Sequence, residues 1–189
     1  MNQNVICVIA CGGYSTRMGK EKALLQYHEL PQFEHLNGLF SHTGLPAFLS
    51  LRKDQKINYQ SFPFIILDDD KYAGHGPISG LLSCIQKFPD KSIVFIGCDY
   101  PLLSIVEIKQ LINSSENTSS FFNLNYEPLL AIYHPSDFKK IEEQFESKLY
   151  SLNNFLTEIN AKKLIAENPS NLKSFDTIIE YKSFQKQTT

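Results

Sequence analysis

Short apolar runs and amphipathic stretches take turns along the chain, with turn-forming residues between them. Val5–Ile9 is apolar and β-branched, the pattern of a strand buried on both faces. Phe33, Leu36, Leu39 and Phe40 fall at the intervals of an amphipathic helix, which Gly44 and Pro46 bring to an end. Ala47–Leu51 and Phe64–Leu67 read as the second and third strands. Leu81, Leu82, Ile85 and Phe88 again follow helical spacing. Ser92–Gly97 is the most strand-like segment, and a helix is expected from Ile105 to Ile112. Two further strands are expected at Ser119–Phe122 and Pro128–Tyr133, followed by helices from Pro135 to Phe145 and from Leu152 to Ile159. The tail carries a small apolar patch (Phe175, Ile178, Ile179, Phe184) and ends in a polar stretch, Gln185–Thr189, expected to fray.

Strands alternating with helices predict a three-layer α/β/α sandwich, Rossmann-like, around a mostly parallel sheet. No repeat and no compositional break divides the chain, so residues 1–189 are expected to form a single domain. Glycine- and aspartate-rich segments follow the first and third strands, and Asp99 follows the fourth. If those strands are parallel neighbours, all three segments meet at one edge of the sheet.

Composition removes several classes of function. A net charge of −2 provides no broad basic field for duplex nucleic acid, and no basic patch interleaved with aromatics is present. No apolar run reaches the length of a membrane span, and no basic region precedes the first strand; the expected location is the cytoplasm. The four cysteines form no C-x-x-C pair and are expected to be reduced, mostly buried thiols. The five histidines form no H-E-x-x-H, and His35 and His42 are expected at the surface.

The candidate chemistry begins at Ala10-Cys11-Gly12-Gly13-Tyr14-Ser15-Thr16-Arg17-Met18-Gly19-Lys20-Glu21-Lys22. A glycine-rich turn leaving a buried strand can bring backbone N–H groups onto phosphate oxygens. Gly12 and Gly13 let the backbone come close to a ligand, and Arg17 and Lys22 add the positive charge a polyanion requires. This is not a Walker A loop, because Glu21 stands where Ser or Thr is needed. It is not the dinucleotide fingerprint either, because Gly12 and Gly13 are adjacent. Asp68-Asp69-Asp70 ends the third strand, where carboxylates are well placed for a ribose or a metal. Gly74–Gly80 then opens a helix, a favourable position for close ligand approach. Asp99, at the carboxyl end of a buried central strand, is the strongest single candidate.

Gly12, Gly13, Ser15, Arg17, Met18, Gly19 and Lys22 together resemble the G-G-x-S-x-R-M-G-x-x-K signature of nucleotidyltransferases, in particular the molybdenum cofactor guanylyltransferase branch. Cys11 replaces the alanine usual before the glycine pair. The likeness continues, in order, through Gly76-Pro77-Ile78-Ser79-Gly80 (G-P-L/I-x-G/A), Cys98-Asp99-Tyr100-Pro101 (C-D-x-P) and Pro128-Leu129-Leu130-Ala131-Ile132. It covers about the first two thirds of the chain.

The resemblance implies transfer of a nucleoside monophosphate, GMP from GTP, to the terminal phosphate of molybdopterin, with Mg²⁺ as cofactor and pyrophosphate released. Other cofactor-biosynthesis proteins are implied as partners. The backbone of Ala10, Cys11, Gly12 and Gly13, with Gly76 to Gly80, would surround base and ribose, and Ser15 would also bind the nucleotide. Arg17 and Lys22 would hold the triphosphate, and Asp99 would hold the metal. Asp69 matches the family's acidic residue seven positions before Gly76. Ser50 stands where the family often has asparagine at the exit of the second strand. Near the C-terminus the family's N-x-N-T-P-x-D/E-L becomes Phe175–Glu180 without either asparagine, leaving Asp176 available as a second metal ligand. Because the same loop serves cytidylyl- and sugar-nucleotidyltransferases, those activities stand as alternatives, as does a non-catalytic nucleotide-binding accessory protein.

Overall fold

A computed structural model describes residues 4–13 and 19–188. Its seven strands are β1 (Val5–Ala10), β2 (Ala47–Leu51), β3 (Ile65–Leu67), β4 (Ser92–Gly97), β5 (Ser119–Asn123), β6 (Asn125–Tyr133) and β7 (Lys162–Leu164). They form one sheet in the order β3-β2-β1-β4-β6-β5-β7. Every pairing is parallel except the two made by β6, which runs antiparallel to β4 and β5.

The period of two in β1 explains the layering. Val5, Cys7 and Ile9 face one core, with Phe33, Leu36 and Phe40 of α1 (Gln32–Ser41) and Ile108 and Leu111 of α3 (Ile105–Asn113). Ile6 and Val8 face the other, against α2 (Pro77–Lys87), α4 (Phe138–Glu146) and α5 (Leu152–Glu158). The expected three-layer α/β/α sandwich is the observed fold. α3 starts where the sequence offers a cap: Ser104 accepts from the Val106 N–H, and the buried Glu107 accepts from the Ser104 N–H.

Several boundaries differ from expectation. The helix expected from Pro135 opens as a 3₁₀ turn, Pro135–Asp137, before α4. β7 is an added edge strand, and the segment Lys53–Tyr59 forms 3₁₀ turns that no periodicity announced. The tail does not fray at Gln185: α6 runs from Ile178 to Thr188, and Gln185 Nε2 donates to the Gln26 carbonyl at 3.3 Å. Tyr27 holds this helix from below, edge-on to Phe175, Tyr181 and Phe184 at 5.1–5.7 Å between centroids. Among the described residues no helix is long and apolar enough to cross a membrane. All four cysteines are buried free thiols, as expected.

His42 is exposed, whereas His35 is half-buried and stacked on His28 at 4.0 Å. Burial first, and the neighbouring His28 second, hold the His35 imidazole down at about 4 from its ordinary 6.5. Below pH 6.5 the unfolded chain therefore takes up a proton that the fold refuses. The stability conferred by a neutral His35 should be complete above pH 6.5 and decline as pH falls toward about 4. Melting curves of wild type and His35→Gln across that range check this, with the variant expected to lose less stability on acidification.

Candidate active site

Four adjacent parallel strands, β3-β2-β1-β4, end at the same edge of the sheet. β2 and β3 extend the sheet to one side of β1 and β4 lies on the other, so the connections leaving β1 and β4 diverge and open a crevice between them. At its floor Ala10 lies opposite Gly97. The crevice is a cleft of about 160 Å³ whose walls include Gly12, Gly13, Ser50, Arg52, Asp68, Gly76, Gly80 and Leu129.

Backbone constraints shape this cleft. Gly76 has φ +76° and Pro77 takes the first position of α2, so the chain turns sharply into a helix whose N-terminus borders the cleft. A methyl on Gly80 would stand 2.5 Å from Ser50 Oγ; the bare glycine lets α2 settle onto the end of β2. The Cys11 N–H donates to the Ser50 carbonyl, carrying the β1–β2 pairing one residue further. The Gly12 and Gly13 N–H groups have no acceptor among the described residues.

A charged cluster adjoins the cleft. Lys22 Nζ lies 3.7 Å from Asp99 Oδ2 and 2.5 Å from Asp176 Oδ1. Asp99 follows Gly97 so closely that a methyl there would overlap Asp99 Oδ1 and crowd Leu129. Asp99 Oδ1 is buried and has no hydrogen-bond partner among the described residues. Burial raises the Asp99 pKa from the ordinary carboxylate value, while Lys22 opposes the shift. Burial alone would lower the Lys22 pKa, but the Asp176 hydrogen bond and the charges of Asp99 and Asp176 prevail and raise it. Asp176 is set in place by its neighbours: the Phe175 N–H donates to the Asp99 carbonyl at 2.8 Å, and Glu180 accepts from the Asp176 and Thr177 N–H groups.

A family model, the MobA-like NTP transferase domain, matches residues 7–162, which include most of β1, all of β2 through β6 and both motifs after β1 and β4. The chain belongs to the MobA-like NTP transferase family. Curated relatives include a probable molybdenum cofactor guanylyltransferase of Halalkalibacterium halodurans, 30% identical over 78% of each chain. One from Carboxydothermus hydrogenoformans is 26% identical over 90% of this chain and 87% of its own. In fold, the chain is similar to the molybdopterin-guanine dinucleotide biosynthesis protein A of Archaeoglobus fulgidus, with a TM-score of 0.79 at 17% identity over 96% and 97% of the two chains.

Among the residues the family signature singles out, Ala10, Gly12, Gly13, Ser50, Gly76 and Gly80 line the cleft. Lys22 and Asp99 meet in the charged cluster. Ser15 and Arg17 lie outside the described residues. Cys11 contributes backbone only, because its side chain packs into the core beside Cys98. Asp69 is not among the residues lining this cleft. Its carboxylate accepts from the Lys71 N–H at 2.8 Å, and Asp68 enters the cleft instead. The cause is strand alternation: the Asp68 N–H bonds to the Leu51 carbonyl, extending β3, so Asp68 shares the face of Ile66 that looks toward α2. Counting back from Gly76 favoured Asp69; alternation within the strand was the signal that favoured Asp68. Arg52 was also missed, although it is a cation immediately after a parallel strand.

Proposed function

We propose that the protein transfers GMP from GTP to the terminal phosphate of molybdopterin or its molybdenum-bearing form, releasing pyrophosphate. The observation that carries this reading is the placement, at one sheet edge, of a cleft with two backbone N–H donors that have no acceptor among the described residues, beside the Lys22–Asp99–Asp176 cluster. The names of its curated relatives supply the donor base and the acceptor class.

In this reading an oxygen of the acceptor phosphate, already anionic at neutral pH, attacks the α-phosphorus of GTP in line. The new P–O bond forms as the bond from the α-phosphorus to the bridging oxygen breaks, and its electron pair leaves on pyrophosphate. No general base is needed, so catalysis amounts to positioning and charge neutralisation. The N–H groups of Gly12 and Gly13 receive phosphate oxygens, and Lys22, joined by Arg17 from the signature, offsets the accumulating charge.

Mg²⁺ fits the residues present. Asp99 offers a buried carboxylate whose Oδ1 has no partner among the described residues, and Asp176 supplies a second oxygen donor across Lys22. Among the described residues no three His, Cys, Asp or Glu side chains converge. This suits an ion that takes one or two carboxylates and completes its shell with phosphate and water. When bound, Mg²⁺ would supply Lewis-acid neutralisation of phosphate charge, held by Asp99 and Asp176. In this reading the reaction takes place in the cytoplasm, a location that four free thiols support.

Asp68 is the proposed reader of the base. An ionised carboxylate only accepts hydrogen bonds, and guanine presents N1–H and N2–H side by side, a pair that cytosine lacks. Burial raises the Asp68 pKa to about 6, with Arg52 opposing. Protonation removes acceptor capacity, so KM for GTP should rise as pH falls below about 6, and Asp68→Asn should show a raised KM without that dependence. Thermal stabilisation by GTP, CTP, ATP and UTP, each with Mg²⁺, tests the donor. A saturating ligand at a hundred times its Kd adds about 2.7 kcal/mol. Selective stabilisation by GTP is expected; selective stabilisation by CTP would replace guanylyl with cytidylyl transfer.

A further inference from the structure

The segment 52–59, outside the signature elements quoted above, touches the glycine-rich stretch on both flanks. On the first, Gln55 Nε2 donates to the Cys11 carbonyl at 3.1 Å and Arg52 Nη1 donates to the Gly12 carbonyl at 2.7 Å. On the second, Asn58 Nδ2 and the Tyr59 hydroxyl donate to the two oxygens of Glu21, at 2.9 and 2.8 Å. The donors are themselves held. Gln55, 1% exposed, accepts from the Arg52 N–H, and Asp54 receives both Nε and Nη2 of Arg52 at 3.1 Å. Tyr59 is buried edge-on to Phe33.

We propose that residues 52–59 are a brace that sets the phosphate-binding geometry of the loop, with Gln55 and Arg52 as positioning residues. The peptide plane supplies the link. In a trans peptide the N–H points opposite the preceding C=O. Fixing the Cys11 and Gly12 carbonyls on the brace therefore turns the Gly12 and Gly13 N–H groups away from it, and these are two donors without an acceptor among the described residues. Glu21, held by Asn58 and Tyr59, fixes the backbone next to Lys22. The brace thus ties backbone donors and the cationic side chain into one geometry without touching the nucleotide through Gln55.

The inference rests on the nucleotidyltransferase reading, and the test separates the two. Steady-state kinetics on the full-length protein with GTP, Mg²⁺ and molybdopterin would compare wild type, Gln55→Leu and Asp54→Ala. Gln55→Leu removes the donor to Cys11; Asp54→Ala, at an exposed position, removes the carboxylate that orients the Arg52 guanidinium, without entering the core. Each hydrogen bond lost should raise KM for GTP roughly three- to tenfold, with the KM for molybdopterin unchanged. A merely structural role would lower the active fraction, and so apparent kcat, while leaving both KM values alone. If Gln55→Leu does not fold, Asp54→Ala decides. Wild-type KM for GTP in the folded variants overturns the brace; a wild-type protein that neither binds nor turns over any of the four nucleotides overturns the reading beneath it.

Discussion

Asp99→Asn should lose about 10²–10³-fold in kcat/KM for nucleotidyl transfer while folding normally. The amide keeps the volume of the carboxyl and removes its charge. Asp99 sits beyond β4, held between Gly97, Leu129 and Lys22, and its Oδ1 is buried without a partner among the described residues. A fold seldom retains a buried carboxylate with an unfilled acceptor unless something else occupies it. Because burial raises its pKa, ionisation of Asp99 is a cost to the empty protein. The melting temperature of Asp99→Asn should accordingly be unchanged or higher at pH 8. Loss of activity together with loss of folding would make Asp99 structural, and substantial retained transfer would remove it from the metal site. Parallel melting curves and initial rates check both.

Lys22→Ala should lower kcat by about 10²-fold, with KM for the nucleotide changed much less, since charge builds on the phosphates most strongly in the transition state. The substitution also leaves Asp99 and Asp176 facing each other without their shared cation. Loss of Lys22 raises the folded-state pKa of Asp99 further above its unfolded value, so the variant is destabilised increasingly as pH rises through that range. Its deficit in melting temperature should be large at pH 8 and shrink on acidification. A deficit independent of pH would show that packing of the lysine stem, not charge, is what is lost.

Much of the architecture is legible because the central strands are continuous apolar runs that no other element can accommodate. Val5–Ile9, Ala47–Leu51 and Ser92–Gly97 were placed almost to the residue, and their parallel adjacency brings the predicted loops together at one edge. β7 escaped because Lys162-Lys163-Leu164 is an exposed edge strand of three residues, blunted by lysines and carrying no apolar pattern. The brace escaped because its polar run, Lys-Asp-Gln-Lys, is stabilised by hydrogen bonds to a loop more than thirty-five positions away, about which periodicity carries no information. Asp176, which the sequence offered as a second metal ligand, is brought to Lys22 by the packing of Phe175 and α6 on Tyr27, a tertiary contact spanning most of the chain. Asp68 was within reach: the alternation that identified β3 also decides which aspartate after it turns toward α2.

The central claim is most directly tested by the product. The purified protein, given GTP labelled at the α-phosphate, Mg²⁺ and molybdopterin, should yield a guanine dinucleotide carrying the label, with one pyrophosphate released per dinucleotide and neither formed by Asp99→Asn. A labelled product formed from CTP but not GTP would contradict the assigned base. Nucleotide binding without pyrophosphate release, under conditions where the acceptor is intact, would contradict the assignment of catalysis itself.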